Sequence, residues 1–235
     1  MSYNAKRRRL HGQAHHVVQA RLRRDLSKLF ALPLLPPDGA LAPQPPGMLL
    51  NLFPYQLRSL ARMIEIERGV ELRLESSTGG TTEIYRPRGG VVADTVGLGK
   101  TAQIIGLLLS SPGPSGGTLV LTPEHLCHQW AREIGKFAGD RLRVRVATDP
   151  ETLETAALAG FANSPVDVVV ASLELLCSDA YHPLVRSEAT ATYEARGFHA
   201  LRWHRIVLDE CHDAVLKGGG AMQRVPVWPY SAAHE

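Results

Sequence analysis

Two short stretches hold residues whose types and spacing could do chemistry. The first is "ADTVGLGKTAQ", residues 93–103. Gly97 and Gly99 let backbone N–H groups turn toward an anion, and the helix expected after them adds its positive end. Lys100 can reach the outer phosphates of a nucleotide as a point charge. The hydroxyl of Thr101 can be offered to Mg2+. A phosphate loop usually reads G-x-x-x-x-G-K-[ST], but here Asp94 fills the slot of the first glycine. By themselves these residues leave two readings open: a nucleotide loop, or a Gly-rich turn that happens to contain a lysine.

The second stretch is "RIVLDECH", residues 205–212, a hydrophobic run ending in two acids. A Mg-ATP site needs a carboxylate near the metal and a group that orients or deprotonates the attacking water. Asp209 suits the first role, through water, and Glu210 the second. The plain alternative is a strand end with acids at a solvated turn. Asp209 follows Lys100 by 109 residues, room for several strand–helix units between them.

Those units are visible in the pattern. "PYQLRSLARMIEIERG" (54–69) puts Leu57, Leu60, Ala61 and Ile64 on one helical face, and Gly69 can end the helix. "VELRLESSTGGTTEIYRP" reads as a hairpin with a Gly-Gly turn. "GGVVAD" predicts a short buried strand and "KTAQIIGLLLSS" a helix. "GTLVLTP" predicts a second strand. "EHLCHQWAREIGKFAG" predicts a helix with Leu126, Trp130 and Ile134 in line. "LRVRVAT", "PVDVVVASLELL" and the start of "WHRIVLDECHD" predict three further strands. Strands alternating with helices imply an α/β fold, a parallel sheet with helices on both faces, whose ligands sit at the carboxyl ends of the strands.

The bulk properties exclude several classes. There is no apolar run of about 18 residues, so no membrane span is expected, and no apolar signal core opens the chain. Cys127, Cys177 and Cys211 lie far apart, which argues against a disulfide framework or a zinc ribbon and fits a reducing compartment. Charge is uneven. Residues 1–30 carry eight Lys or Arg against Asp25, a balance of +7; the whole chain is +3, so the rest is −4. "AKRRRL" at 5–10 reads as a nuclear-import signal, a nucleic-acid-touching arm or a solvated basic end. "ALPLLPPDGALAPQPPG" (31–47) reads as an extended Pro-rich linker. Residues 1–47 are therefore expected to be a disordered tail and linker, with the folded domain, 48–235, starting at Met48.

Five segments, in order, resemble the first RecA-like lobe of superfamily-two helicase-like ATPases, and among them the Swi/Snf-type DNA translocases. "FPYQLRSLARM" is similar to the motif whose glutamine reads adenine, here Gln56. "ADTVGLGKT" resembles A-D-E-x-G-L-G-K-T, in which an aspartate at the Asp94 position is normal. "TLVLTPEHLCHQWAREI", "DVVVASLELL" and "WHRIVLDECH" resemble the next three, the last being the D-E-x-H box. The likeness runs from Leu52 to His212. The stretch before "RGGVVAD" and residues 178–200 resemble inserts of the RING-carrying, DNA-repair-linked branch.

The resemblance implies a P-loop NTPase lobe binding ATP and Mg2+. Gln56, Asp94, Gly97, Leu98, Gly99, Lys100 and Thr101 would hold the nucleotide, Thr101 and Asp209 the metal. Lys100, Asp209, Glu210 and His212 would act in hydrolysis, with His212 bridging the acids to neighbouring motifs. Thr122, Pro123 and Ser172 would face a nucleic-acid backbone, a contact without sequence information. It further implies a nuclear enzyme acting on double-stranded DNA or nucleosomes, and no membrane partner. Departures from the family pattern are Thr95, Val96, Ala171-Ser172-Leu173 in place of Thr-Thr-Tyr, and Cys211, expected to pack. "DAVLKGGGAMQRVPVWPYSAAHE" shows no Thr-Gly-Thr-Pro coupling motif and no second lobe follows. In this family that second lobe supplies the arginine fingers, which in other nucleotide hydrolases are worth about 10³ to 10⁵ in rate. The chain alone is therefore expected to bind ATP weakly and turn over slowly.

Other clusters read more plainly. Glu124, His125, Cys127 and His128 could be imagined as metal ligands, but His125 and His128 are spaced i, i+3, unlike H-E-x-x-H. His15 and His16 are expected in solvent, and Trp130 and Trp203 in the core. Two alternatives to an ATPase stay open: a non-catalytic nucleotide- or DNA-binding remnant acting as an interaction module, and another P-loop enzyme such as a small-molecule kinase.

Overall fold

The computed structural model describes residues 35, 38–75, 82–113, 117–153, 166–178, 181, 184–186, 193–195, 197–201 and 203–210. The chain divides into two compact units, Met1–Ala40 and Leu41–Glu235. The basic tail, Cys211 and His212 lie outside the described residues.

The second unit opens with residues 41–47, part of the stretch read as a linker. They lie against the fold: Ala42 is buried and donates its N–H to Leu57 O, and Gln44 exchanges two hydrogen bonds with the backbone of Leu52. Helix α1, Pro54–Glu67, starts on a proline, whose missing N–H costs nothing in the first turn. Gln56 Oε1 accepts the N–H of Phe53 at 2.9 Å, satisfying a donor ahead of the helix. Strands β1, Leu72–Glu75, and β2, Thr82–Tyr85, pair antiparallel, the expected hairpin. Helix α2 is Lys100–Ser110 and helix α3 Glu124–Ala138.

The sheet is β3 (Thr118–Thr122), β4 (Val144–Ala147), β5 (Val168–Ser172) and β8 (Arg205–Leu208), in the order β4-β5-β3-β8, all parallel. β3 and β5 are buried along their whole length, which their near-continuous apolar runs dictate. Val120, Val168 and Val170 face α2 and α3, meeting Ile105, Leu108, Trp130 and Ile134. Leu119, Leu121, Val169 and Ala171 face the other way. There they meet the short helix α4, Leu173–Cys177, and the rings of Tyr181 and Phe198. α1 packs on α2 through Leu57, Leu60, Ala102 and Leu107. A second hairpin, β6 (Leu184–Arg186) with β7 (Tyr193–Ala195), falls in the stretch read as an insert. The fold is α/β, with both faces of a parallel sheet covered.

One expected element is corrected. "GGVVAD" forms no strand: Val91 is 87% exposed, and β8 is an edge strand among the described residues. Two valines offer little apolar area, and Gly89 and Gly90 lose much backbone freedom in any strand. Asp94, at the far end, is drawn into a turn by contacts described below.

β8 and α1 are joined by a half-buried ion pair. Arg205 donates Nε to Glu67 Oε1 at 2.5 Å and a terminal nitrogen to Oε2 at 2.6 Å. Its guanidinium also donates to Thr118 Oγ1 and Ser111 O. Burial works to raise the Glu67 pKa, but the bonds and charge of Arg205 outweigh it and hold the carboxyl below its ordinary value. A lowered carboxylate contributes stability above its unfolded pKa and loses it as pH falls through the folded value. Stability is therefore expected to decline as pH drops below 4.5, the ordinary glutamate value. At neutral pH, urea titration of Arg205→Met or Glu67→Gln should show a loss of about 1–3 kcal/mol, the cost of leaving a half-buried charged group without its partner.

Candidate nucleotide site

Asp94 to Lys100 fold into a closed turn ahead of α2. Gly97 and Gly99 both take positive φ, +87° and +73°, which a residue with a Cβ adopts only at a cost. Leu98 N–H donates to Thr95 O, tightening the turn. Gly99 caps α2 with no side-chain hydrogen bond, so the first N–H groups of the helix have no side-chain cap. Such donors, with the helix dipole, suit an anion.

Four side chains hold this turn. Lys100 Nζ donates to Asp94 O at 2.9 Å. Gln103, fully buried one turn further on, donates its amide nitrogen to Asp94 Oδ2 at 2.7 Å. The carboxylate in the first-glycine slot is thus an anchor, fixing the start of the loop to the helix that ends it. The third is Gln56, which donates Nε2 to Leu98 O at 3.0 Å while its Oε1 caps α1. Gln56, expected against adenine, is a strut between α1 and the loop and keeps a second amide N–H. Tyr55 adds its hydroxyl to Leu98 O at 3.2 Å and stacks on Phe53, with ring centroids 5.9 Å apart. Both rings are exposed. Gln103, Tyr55 and Phe53 were not singled out by the sequence reading. The Gln three residues after Lys100, on the same helical face, was the available signal.

The acidic strand end is braced separately. Asp209 N–H extends the ladder of β8 to Leu121 O at 2.8 Å. Its Oδ2 accepts from Trp130 Nε1 at 2.7 Å and from Thr122 Oγ1 at 3.2 Å. Oδ1 accepts the N–H of Glu210 at 3.0 Å. Glu210 stands at φ +48°, a left-handed conformation costly for a glutamate. So Gln56 is bonded to Leu98, and Lys100 and Gln103 to Asp94, within one turn that Gly99 closes, while Asp209, Glu210 and Thr122 form a separate bonded set. Thr101 occupies the first turn of α2, and Gly97 the tip of the loop.

The donor chemistry fits the groups the sequence implies. Oδ1 of Asp209 keeps an unshared lone pair among the described residues, and the Thr101 hydroxyl is a second neutral oxygen; hard oxygen donors suit Mg2+. The uncapped N–H groups of α2 and the Lys100 ammonium suit phosphates.

The carboxyl ends of β3 and β5 differ from expectation. Thr122, Pro123 and Ser172, read as facing nucleic acid, are buried. Thr122 is committed to Asp209, and the Ser172 hydroxyl accepts the Leu175 N–H as the cap of α4. The physical reason is the parallel sheet itself: the last residues of central strands stay under the following helices. The exposed rim is a cleft of about 420 Å³ lined by Glu124, His125, His128, Thr148 and Glu174. Among the described residues no three of His, Cys, Asp and Glu converge as metal ligands. No described helix is long and apolar enough to cross a membrane.

With the geometry in place, comparison with known proteins places the chain. The SNF2-related domain matches residues 55–217, well over half of the chain. The chain belongs to the SNF2-related family. Its motifs and sheet match the N-terminal lobe of Swi/Snf-type, helicase-like proteins. It is 33% identical over 166 residues to the DNA (cytosine-5-)-methyltransferase DMT5 of Cryptococcus neoformans var. grubii, covering 59% of this chain and 7% of that protein. Similarity to the DNA repair protein RAD5B of Arabidopsis thaliana is 26% identity, covering 72% of this chain and 17% of the relative. The ATP-dependent helicase rhp16 of Schizosaccharomyces pombe is 30% identical, over the same two shares. The SNF2-related chain thus spans less than a fifth of the length of each of these relatives.

Two outcomes test the site. A Cβ on Gly99 would lie 2.5 Å from Gln56 Nε2 in a left-handed backbone. Gly99→Ala is expected to lose the Gln56–Leu98 bond and about 1–2 kcal/mol of local stability, read as faster amide exchange across 94–100. Burial, then the charges of Glu174 and Glu124, pushes the Cys127 thiol up to about 12. Thiol reagents at neutral pH should therefore label exposed Cys177 and spare Cys127 until the protein unfolds.

Proposed function

We propose that the chain is the ATP-binding lobe of a DNA-dependent ATPase and translocase, one that hydrolyses ATP to ADP and phosphate when joined to a second RecA-like lobe. The observation that carries this reading is the closed loop: Lys100 folded onto Asp94 O, at the mouth of an uncapped helix. Phosphates offer Lys100 a stronger, charged acceptor than a carbonyl, so binding would draw the ammonium off Asp94 while Gln103 keeps the loop entry in place. Lys100 and the N–H groups from Gly97 to Thr101 would hold the phosphates, and the exposed Phe53–Tyr55 face beside Gln56 would meet the base. Thr101 and Asp209 would hold Mg2+, which supplies charge neutralisation of the phosphates. Glu210 would orient the attacking water, with His212 bridging the acids to neighbouring motifs.

DNA, nucleosomes and a nuclear location are proposed from the family and from the relatives named for repair and helicase activity. The exposed rim brings the acids Glu124 and Glu174 beside His125 and His128, so this cleft by itself favours no polyanion. The basic residues 1–30 are the complementary charge in the sequence. Thr122, Pro123 and Ser172 would then shape the strand ends from beneath.

The deciding experiment is calorimetric titration with Mg-ATP of this chain and Lys100→Ala, both checked for folding by circular dichroism. Saturable binding that weakens by roughly tenfold or more in the variant is expected, the worth of one charge-assisted bond. Equal affinities, or no binding by the native chain, would sink the ATPase reading in favour of the remnant. A duplex-insensitive ATPase activity would point instead to a small-molecule enzyme.

A further inference from the structure

Trp130 was expected to be a core anchor, and it is: only 4% exposed, it packs with Ile105, Val120 and Ile134 beneath α3. Packing alone would not orient its ring edge. The indole N–H points at Asp209 Oδ2, 2.7 Å away and 79 residues along the chain, the shortest bond that carboxylate makes. Thr122 Oγ1 donates to the same oxygen at 3.2 Å. A carboxylate oxygen has two good acceptor directions, so Oδ2 is saturated. Oδ1 accepts only the Glu210 N–H among the described residues. The carboxylate therefore cannot rotate without breaking two bonds, and it turns one fixed lone pair outward.

We propose that Trp130 is a positioning residue for Asp209: by tying up Oδ2 it leaves Oδ1 as the single oxygen offered to a divalent cation. This rests on the reading of Asp209 as a metal-holding group and deepens it. Outer partners of ligating carboxylates set ligand orientation and typically matter about tenfold or more in metal affinity. Thr122 is the weaker second positioner. The arrangement also explains why the hydroxyl that closes β3 is buried and unable to meet a nucleic-acid backbone.

The test uses the full chain labelled with 15N and titrated with Mn2+, whose paramagnetism broadens amide signals near a bound ion. The Glu210 amide, bonded to Oδ1, is the probe. Trp130→Phe keeps a buried ring and removes only the N–H donor; Thr122→Val removes the second donor at similar volume. In the native chain, Glu210 should broaden before the amides of the cleft rim. Trp130→Phe should need about tenfold more Mn2+ for the same effect. Thr122→Val should need a smaller excess, and remains informative if the Phe variant does not fold. Unchanged Mn2+ dependence in the folded variants overturns the inference. Absence of selective broadening at Glu210 in the native chain does so too. If Mn2+ behaves as expected but the native chain binds no ATP, the ATPase reading fails and the positioning role stands.

Discussion

The Arg205–Glu67 pair is the constraint on which the site's frame depends. Glu67 lies near the end of α1, the helix that starts with Tyr55 and Gln56. Arg205 opens β8, the strand that ends at Asp209. The pair therefore fixes, from the far end, the two elements whose near ends carry the loop strut and the acidic group. The same guanidinium reaches Ser111 just past α2 and Thr118 at the start of β3. Four elements thus meet at one planar, multivalent cation. A lysine there could supply the charge but not the fork that satisfies four acceptors.

Polar groups around the nucleotide loop are spent internally. Asp94 offers its carbonyl to Lys100 and its carboxylate to Gln103, and these two partners stand one turn apart on α2. A glycine in that slot would give conformational freedom; aspartate gives attachment instead. The attachment replaces what a preceding strand would provide, since residues 91–95 lie outside the sheet. Gln103 also keeps a buried Oε1 with no partner among the described residues, a cost tolerated where the other half of the amide holds the loop.

Much of this architecture was legible in the sequence because its signals were local. Apolar runs marked β3 and β5, helical periodicity marked α1 and α3, and "GLGKT" marked a turn entering a helix. The Asp94 anomaly was legible only through resemblance, and its physical role appeared when Gln103 came into contact. The missing strand at "GGVVAD" had a correct composition and too little area. What sequence could not carry was the pairing of distant side chains: Trp130 with Asp209, or Arg205 with Glu67, 138 residues apart. The burial of Thr122 and Ser172 was likewise hidden, since a hydroxyl at a strand end looks the same whether it faces solvent or a neighbouring acid.

The strand order has a kinetic consequence. β3 is central, yet its partners come later: β5 pairs Val168 with Thr118, and β8 pairs Arg205 with the same residue. Each pairing closes a long loop before any ladder bond repays the lost chain entropy. β8 can add only once β3 is laid down, and Asp209 meets Trp130 only after that. The bonds that brace Asp209 span 79 and 87 residues, so they close only when segments far apart in sequence have come together.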